Sequence, residues 1–133
     1  MKTVFADSFY FLALWNAEDR GHAKALAFTN DYHEAMLTTD WVVVELGDAL
    51  ARPPNRERFL RLFRVLQRQP ELTIIPASRS LLHDGLKLYE NRPDKDWSLT
   101  DCISFVVMQQ EGVTEALTGD KHFEQAGFVA LLR

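Results

Sequence analysis

The chain has 133 residues, of which 47% are hydrophobic, and a formal net charge of −4. This length and apolar content suit one globular domain, so we expect a single domain over residues 1–133. No apolar run is near the roughly 20 residues of a membrane helix, and the single cysteine, Cys102, excludes an internal disulfide bond. Asp7 interrupts the N-terminal apolar stretch, which we interpret as core structure of a cytoplasmic protein rather than a signal peptide.

Strand and helix patterns alternate along the chain. In chain order, β-branched or apolar runs predict strands at residues 2–6, 36–39, 72–76, 115–118 and 128–132. Apolar residues at helical spacing predict helices at residues 8–15, 21–35, 40–51, 55–69, 78–90 and 98–112, with a short helix within 119–127. This alternation predicts an α/β fold, with a parallel sheet of about four to five strands flanked by helices on both faces.

Four acidic residues lie beside these hydrophobic elements. Asp7 follows the first predicted strand, and Asp120 follows the fourth. Asp101 lies in the first turn of one helix and Glu45 in the second turn of another. Because the carboxyl ends of parallel strands and the starts of the returning helices share one edge of the sheet, we expect all four acids to converge there.

An ordinary structural role competes with a functional one for these acids. Asp7, Asp101 and Asp120 could each be helix N-caps or first-turn acids. Glu45 is flanked by valines and a leucine, and its burial would cost several kcal/mol unless it is paired or bound to metal. Carboxylates that share one pocket repel each other and need protons or a cation. Oxygen ligands favour Mg²⁺ or Mn²⁺.

Other residue types add little to a metal site. Asp94 and Asp96, in the predicted loop 91–97, could supply outer ligands, although exposed loop charge is the better explanation for both. None of the four histidines has a second histidine or cysteine at ligand spacing, which argues against zinc. No Ser–His–Asp or Cys–His arrangement indicates a covalent nucleophile.

Four segments in order resemble the PIN-domain nucleases, in particular the small VapC-like toxins of bacterial toxin–antitoxin pairs. The segments are VFADSFYFLAL, VVVELGDAL, DKDWSLTDCISF and LTGDKHFEQAGF, and the resemblance covers the whole chain. It implies a compact parallel sheet, an acidic pocket for one or two Mg²⁺ or Mn²⁺ ions, and endonucleolytic cleavage of RNA that leaves a 5′-phosphate and a 3′-hydroxyl.

The resemblance also assigns roles to individual residues. Asp7, Glu45 and Asp101 would be the main metal-site acids, with Asp120 as the fourth. Ser8 and Thr118 match supporting hydroxyl positions, and Asp96 is a further supporting candidate. A bound divalent ion would lower the pKa of a water molecule and offset charge on the phosphate.

Partners follow from the same resemblance. It implies an antitoxin protein that places a segment over the active site, and a homodimer is common in the family. The apolar helix from Phe9 to Trp15 could contribute to such an interface, although packing in the core explains it equally well.

Six of the fifteen basic residues lie in the stretch 52–68. On a helix, the face opposite the apolar residues Phe59, Leu60, Phe63 and Leu66 carries four of them: Arg58, Arg61, Arg64 and Arg68. We call these four the arginine ridge. Arginine suits phosphate, and such a ridge would supply RNA affinity rather than sequence choice. A solvated helix face and a docking site for an acidic protein are the alternatives.

Three other functions stay open. A non-catalytic α/β module of the receiver type would also bind Mg²⁺. Such a module needs paired acids near the first strand and an aspartate after the third, whereas here Asp7 stands alone and LTIIP ends without one. A PIN domain that binds RNA without cutting it, or that cuts DNA, uses the same residues.

Overall fold

Five short strands lie side by side in one parallel sheet in the computed structural model, which describes residues 2–133. They are β1 (Thr3–Ala6), β2 (Ala35–Thr39), β3 (Leu72–Ile75), β4 (Glu115–Leu117) and β5 (Val129–Ala130). Their order across the sheet is β3-β2-β1-β4-β5, and every neighbouring pair is parallel. The predicted parallel α/β sheet is therefore confirmed.

Seven helices connect these strands within the described residues. They are α1 (Ser8–Trp15), α2 (His22–Asp31), α3 (Asp40–Ala49), α4 (Asn55–Gln67), α5 (Arg79–Asn91), α6 (Leu99–Glu111) and α7 (Lys121–Gln125). Parallel crossovers are right-handed, so the helices before β3 cover one face of the sheet and those after it cover the other. Most contacts agree, because α1 packs against α2 and α3, whereas α6 packs against α5 and α7, although α3 also contacts α6.

The core is centred on β1 and α6. Val4, Phe5 and Ala6 of β1 are fully buried, as the middle strand of a sheet covered on both faces must be. Cys102, on α6, is buried as a small core residue. Within residues 2–133, no helix combines the length and the apolarity that crossing a membrane requires.

Two predicted boundaries are wrong because strand pairing sets them. The helix expected over residues 21–35 ends at Asp31, since Ala35 pairs with Thr3 and must be extended. The strand expected over 128–132 is limited to Val129–Ala130, because its partner β4 is itself only three residues long.

The helix α4 is less buried than its sequence pattern indicates. None of its residues is fully buried, and Leu60, expected on the packed face, is 44% exposed. Helix α4 packs on α3 and on β3, which is an edge strand. A helix above the edge of a sheet has fewer neighbours, so its apolar stripe is only partly covered.

Candidate active site

The acidic site lies where the strand order changes direction. The chain runs outward from β1 to β2 and β3, then returns to β4 on the other side of β1. Ala6 and Leu117 are partners at the carboxyl ends of β1 and β4, and the amide of Asp7 donates to the carbonyl of Leu117 at 3.4 Å. Open parallel sheets bind ligands in the crevice at such a switch point.

Thr118 connects two of the predicted site acids. Its hydroxyl donates to Oδ2 of Asp7 at 2.9 Å and accepts the backbone N–H of Asp120 at 3.0 Å. Thr118 is fully buried and Asp7 is only 5% exposed, so both positions are fixed by packing. The predicted supporting hydroxyl therefore orients Asp7 and the turn that carries Asp120.

Ser8 orients the only glutamate of the group. The Ser8 hydroxyl, at the start of α1, donates to Oε1 of Glu45 on α3 at 2.5 Å. Glu45 is half-buried, whereas its neighbour Val44 is 60% exposed, so α3 is not surrounded on all sides. Glu45 lies at the margin between α1 and α3 with its carboxylate held toward the other acids.

Asp101 lies in the first turn of α6 and lines the same pocket. It forms a capping box with Ser98, in which each residue accepts the other's backbone N–H. Asp120 in turn caps α7 by accepting the N–H of His122 at 2.9 Å. Helix capping and a place in the site thus coexist at Asp101 and Asp120. Asp7 occupies the N-cap position of α1 but makes no side-chain capping bond.

The four acids line one open pocket of about 480 Å³. The remaining lining residues are Ser8, Phe9, Leu12, Asp96, Ser98 and His122. Neither lysine nor arginine is among these lining residues, so no fixed cation of the described chain balances the carboxylates. Lys121, next to Asp120 in sequence, is exposed and does not line the pocket.

Burial and mutual repulsion make these acids reluctant to ionise. The pKa of Asp7 is raised from 3.8 to about 7, chiefly by burial, while the charges of Glu45 and Asp101 add to the rise and the Thr118 hydrogen bond opposes it. Burial is also the main cause of the raised pKa of Glu45 and of Asp101. Such a group favours either protonation or a bound cation.

Histidine spacing in the sequence did not single out His122, yet its ring stands among the acids. Its Nδ1 lies 3.1 Å from Oδ2 of Asp101 and 3.2 Å from Oδ1 of Asp120. Its Nε2 lies 3.1 Å from Oδ1 of Asp96. The signal in the sequence is that His122 comes two residues after an acid that follows a strand, inside the first turn of a short helix.

The two loop aspartates have different surroundings. The Asp96 side chain is 81% exposed, and it reaches the rim of the pocket beside His122. Asp94 pairs with Arg92 at 3.0 Å instead and does not line the pocket. Of these two candidates, only Asp96 is placed to support the site.

The donor set suits a divalent cation. One donor atom each from Asp101, Asp120 and His122 lies within 4.8 Å of the others, and Asp7 and Glu45 border the same pocket. Carboxylate oxygens with one imidazole nitrogen are ligands for Mg²⁺ or Mn²⁺, with the nitrogen favouring the latter. The acidic cluster can therefore hold a metal ion.

Gly119 allows close packing behind the acids. A Cβ atom at this position would lie 2.4 Å from Cζ of Phe9, so the ring of Phe9 rests directly on the glycine backbone. This contact presses the turn between Thr118 and Asp120 against α1.

The arginine ridge lies on a separate part of the surface. Arg58, Arg61 and Arg64 are exposed on α4 and Arg68 is exposed at its C-cap, and none of the four forms an ion pair with a residue in the range 2–133. Arg61 and Arg64 border a shallow depression with Glu57 and Leu60. The ridge is exposed and forms no ion pair with the described residues, which agrees with the predicted basic face.

The model of the PIN domain family matches residues 4–129, nearly the whole chain. The chain belongs to the PIN domain family. This confirms the resemblance drawn from the four acidic segments. Among curated proteins, this PIN domain is 23% identical over 126 residues to the 23S rRNA-specific endonuclease VapC20 of Mycobacterium tuberculosis, an alignment that covers 95% of each protein.

Solved structures share the same fold. The crystal structure of M. tuberculosis VapC20, described as a sarcin-ricin loop cleaving toxin, has a TM-score of 0.86 at 22% identity, covering 95% of this PIN domain and 96% of that chain. FitAcB from Neisseria gonorrhoeae has a TM-score of 0.70 at 16% identity, covering 96% and 94%. VapBC2 from Rickettsia felis, bound to a DNA fragment from its promoter, has a TM-score of 0.67 at 11% identity, covering 96% of each chain. At these identities the structural likeness establishes the fold.

Proposed function

We propose that this PIN domain is a metal-dependent endoribonuclease and the toxin of a toxin–antitoxin pair. Asp7, Glu45, Asp101 and Asp120 would hold Mg²⁺ or Mn²⁺. The observation that carries the proposal is that four carboxylates from separate parts of the chain line one pocket at the switch point, with no lysine or arginine in its lining. Hydrolysis of RNA phosphodiesters is the function that best uses such a pocket.

Each side chain has a task in this reaction. A bound divalent ion would activate water for attack and offset the charge that builds on the phosphate. Thr118 keeps Asp7 turned into the pocket, and Ser8 does the same for Glu45. The Ser98 amide fixes Asp101. Because these hydrogen bonds already exist, the acids need little reorganisation when substrate and ion bind.

RNA is the proposed substrate class, and ribosomal RNA is the first RNA to test. The VapC20 relative is named as a 23S rRNA-specific endonuclease, which supports RNA over DNA at an identity too low to transfer the cleavage site. The arginine ridge (Arg58, Arg61, Arg64 and Arg68) would contribute affinity for the phosphate backbone. With RNA as substrate, the protein would act in the cytoplasm.

Two protein partners belong to the proposal. An antitoxin would bind over the acidic pocket, where a basic side chain could meet the unbalanced carboxylates. Association into a homodimer is the second expectation. Light scattering of the purified chain checks the dimer, and a monomer at all accessible concentrations would remove it. Inhibition of RNA cleavage by the co-expressed antitoxin tests whether the antitoxin binds over the acidic pocket.

Cleavage of RNA by the purified, antitoxin-free protein tests the function. Total RNA and ribosomal RNA are incubated with Mg²⁺, with Mn²⁺ or with EDTA, and DNA of matching sequence forms a parallel arm. Asp7→Asn keeps shape and removes one ligand charge, so we expect at least about a hundredfold loss, above the effect typical of outer-shell changes. Asp48→Asn, at an exposed position of α3, is the matched control and should cleave normally.

The outcomes separate the alternatives. Metal-dependent cleavage of RNA that Asp7→Asn abolishes supports the proposal. Cleavage confined to the DNA arm would make the protein a PIN-type deoxyribonuclease. Binding of RNA without cleavage, by well-folded protein in either metal, would make it a binding module.

A further inference from the structure

The ring of His122 is held between carboxylates on both of its nitrogen atoms. Nδ1 faces Asp101 and Asp120, and Nε2 faces Asp96. The side chain is 17% exposed, so the ring is fixed rather than solvated. The proposed function assigns the metal to four carboxylates and gives this histidine no role.

The distances around Nδ1 fit those between neighbouring ligands of one ion. Two donors that each lie about 2.1 Å from a metal, at right angles to each other, are separated by about 3 Å. Nδ1 lies 3.1 Å from Oδ2 of Asp101 and 3.2 Å from Oδ1 of Asp120. An ion that replaces the proton shared by Nδ1 and Asp101, which form a hydrogen bond, could therefore contact one donor atom from each of the three residues, since these donor atoms lie within 4.8 Å of one another.

The surroundings of Nε2 complete the pattern. This atom is buried and makes no hydrogen bond with any described residue, although Oδ1 of Asp96 is 3.1 Å away in imperfect alignment. A histidine that binds metal through one ring nitrogen usually donates the N–H of the other to a carboxylate. Asp96 is exposed and free to adjust, so it can become that carboxylate.

We propose that His122 binds the metal through Nδ1, together with Asp101 and Asp120, while Asp96 accepts the Nε2 N–H. The inference rests on the proposed function in that both use the same metal site. It adds a nitrogen to a set of oxygens. Because imidazole favours transition metals over Mg²⁺, the site prefers Mn²⁺ to Mg²⁺ by more than carboxylates alone would produce.

A competing account keeps His122 as a substitute cation. In that account the ring balances Asp101 and Asp120 only while no metal is bound, and an incoming ion displaces it. The two accounts differ in whether a nitrogen is bonded to the ion, which spectroscopy measures directly and without enzyme activity.

The test uses the full chain loaded with Mn²⁺. Pulsed electron paramagnetic resonance on protein with ¹⁵N-labelled histidine should detect a ¹⁵N nucleus coupled to Mn²⁺. His122→Asn should lose this coupling, whereas His83→Asn, at an exposed position of α5, should keep it. In calorimetric titrations with MnCl₂ and MgCl₂, His122→Asn should reduce the preference for Mn²⁺ at least about tenfold.

A second variant covers the case in which His122→Asn does not fold. Asp96→Asn alters an exposed loop residue and should leave the fold intact. It should retain the nitrogen coupling and weaken Mn²⁺ binding about tenfold, because the imidazole loses its carboxylate partner.

The outcomes distinguish this inference from the proposed function. Tight Mn²⁺ binding without nitrogen coupling, with an unchanged metal preference in His122→Asn, would overturn the role of His122 and leave the nuclease proposal standing. Nitrogen-coupled Mn²⁺ in a protein that cleaves no RNA would support His122 and overturn the nuclease proposal. Absence of Mn²⁺ binding in the wild-type chain would overturn the role of His122, and absence of both Mn²⁺ and Mg²⁺ binding would overturn the metal-dependent nuclease as well.

Discussion

The acidic pocket and the arginine ridge are two strongly charged regions among the described residues, and they are built differently. In the pocket, Asp7, Glu45 and Asp101 each accept a hydrogen bond from a neighbouring group. On the ridge, exposed arginines project from a helix that has no fully buried residue. Fixed side chains suit ligands that must meet an ion at set distances, whereas mobile arginines suit a flexible phosphate backbone.

The two regions also differ in how they affect the stability of the folded protein. The buried carboxylates of the pocket oppose their own ionisation, as the raised pKa of Asp7 reports. The exposed arginines are hydrated and remain so until a partner arrives. Ionisation of the buried acids in the pocket therefore lowers the free energy of unfolding, whereas the exposed arginines of the ridge change it little. Each prediction below tests one side of this contrast.

The largest expected effect is on stability, in Asp7→Asn without metal. The pKa of Asp7 is about 7 in the folded protein and 3.8 is its ordinary value. A raised pKa means that the folded state favours the protonated acid. Its contribution to stability is complete below pH 3.8 and is lost as the pH rises to about 7. Three pKa units correspond to about 4 kcal/mol, so Asp7→Asn should be more stable than wild type by up to that amount at pH 8.

Urea denaturation in EDTA across pH 5 to 8 measures this difference. The stability advantage of Asp7→Asn should shrink as the pH falls. Added Mn²⁺ should reverse the order, because the ion stabilises the ionised wild-type site. Asp48→Asn should track the wild type. An advantage that is constant with pH, or absent, would show that ionisation of Asp7 does not lower the free energy of unfolding.

A smaller effect is expected at Gly119, which positions the acids. A Cβ atom in Gly119→Ala would come within 2.4 Å of Phe9, so the ring or the turn carrying Asp120 must move. We expect a loss of about 2 kcal/mol, which is typical of overpacking, and weaker metal binding. Thermal denaturation and Mn²⁺ titration provide the two readings.

The double variant Phe9→Ala with Gly119→Ala is the control. If the ring is the obstacle, adding Gly119→Ala to Phe9→Ala should cost much less than it does in the wild type. Equal costs in the two backgrounds would place the strain elsewhere in the turn.

Local signals predicted most of the fold. The helix expected over residues 98–112 is present as α6, which begins with a capping box between Ser98 and Asp101 and ends at Gly112, whose positive φ of 67° favours glycine. The ends of α2 and β5 were missed because they depend on strand partners distant in sequence. Leu60 was misplaced because periodicity defines a face of the helix without showing whether another element covers it.

The site was predicted to a similar depth. Topology alone indicates that acids at strand ends and helix starts meet at one edge, and the four acids do line one pocket. Their roles as metal ligands stay a prediction. His122 was not foreseen, because its contact with Asp101 joins α7 to α6 and depends on how closely those helices pack. Spacing along the chain carries no record of that distance.

The smallest expected effect is on the ridge, in Arg61→Gln with Arg64→Gln. Neither arginine forms an ion pair with a described residue, so the double variant should fold with unchanged stability. RNA affinity should fall about three- to tenfold, and the slope of log K against log salt should shrink by about 0.7 for each lost phosphate contact. Cleavage at saturating RNA should not change, because the ridge lies outside the pocket.

The matched pair Arg79→Gln with Lys87→Gln removes the same charge from exposed positions on α5. If that pair weakens RNA binding as much, net charge explains the effect and the ridge is an ordinary solvated face. If only the α4 pair weakens RNA binding, the exposed ridge supplies affinity for RNA and the buried acidic pocket supplies the cleavage chemistry.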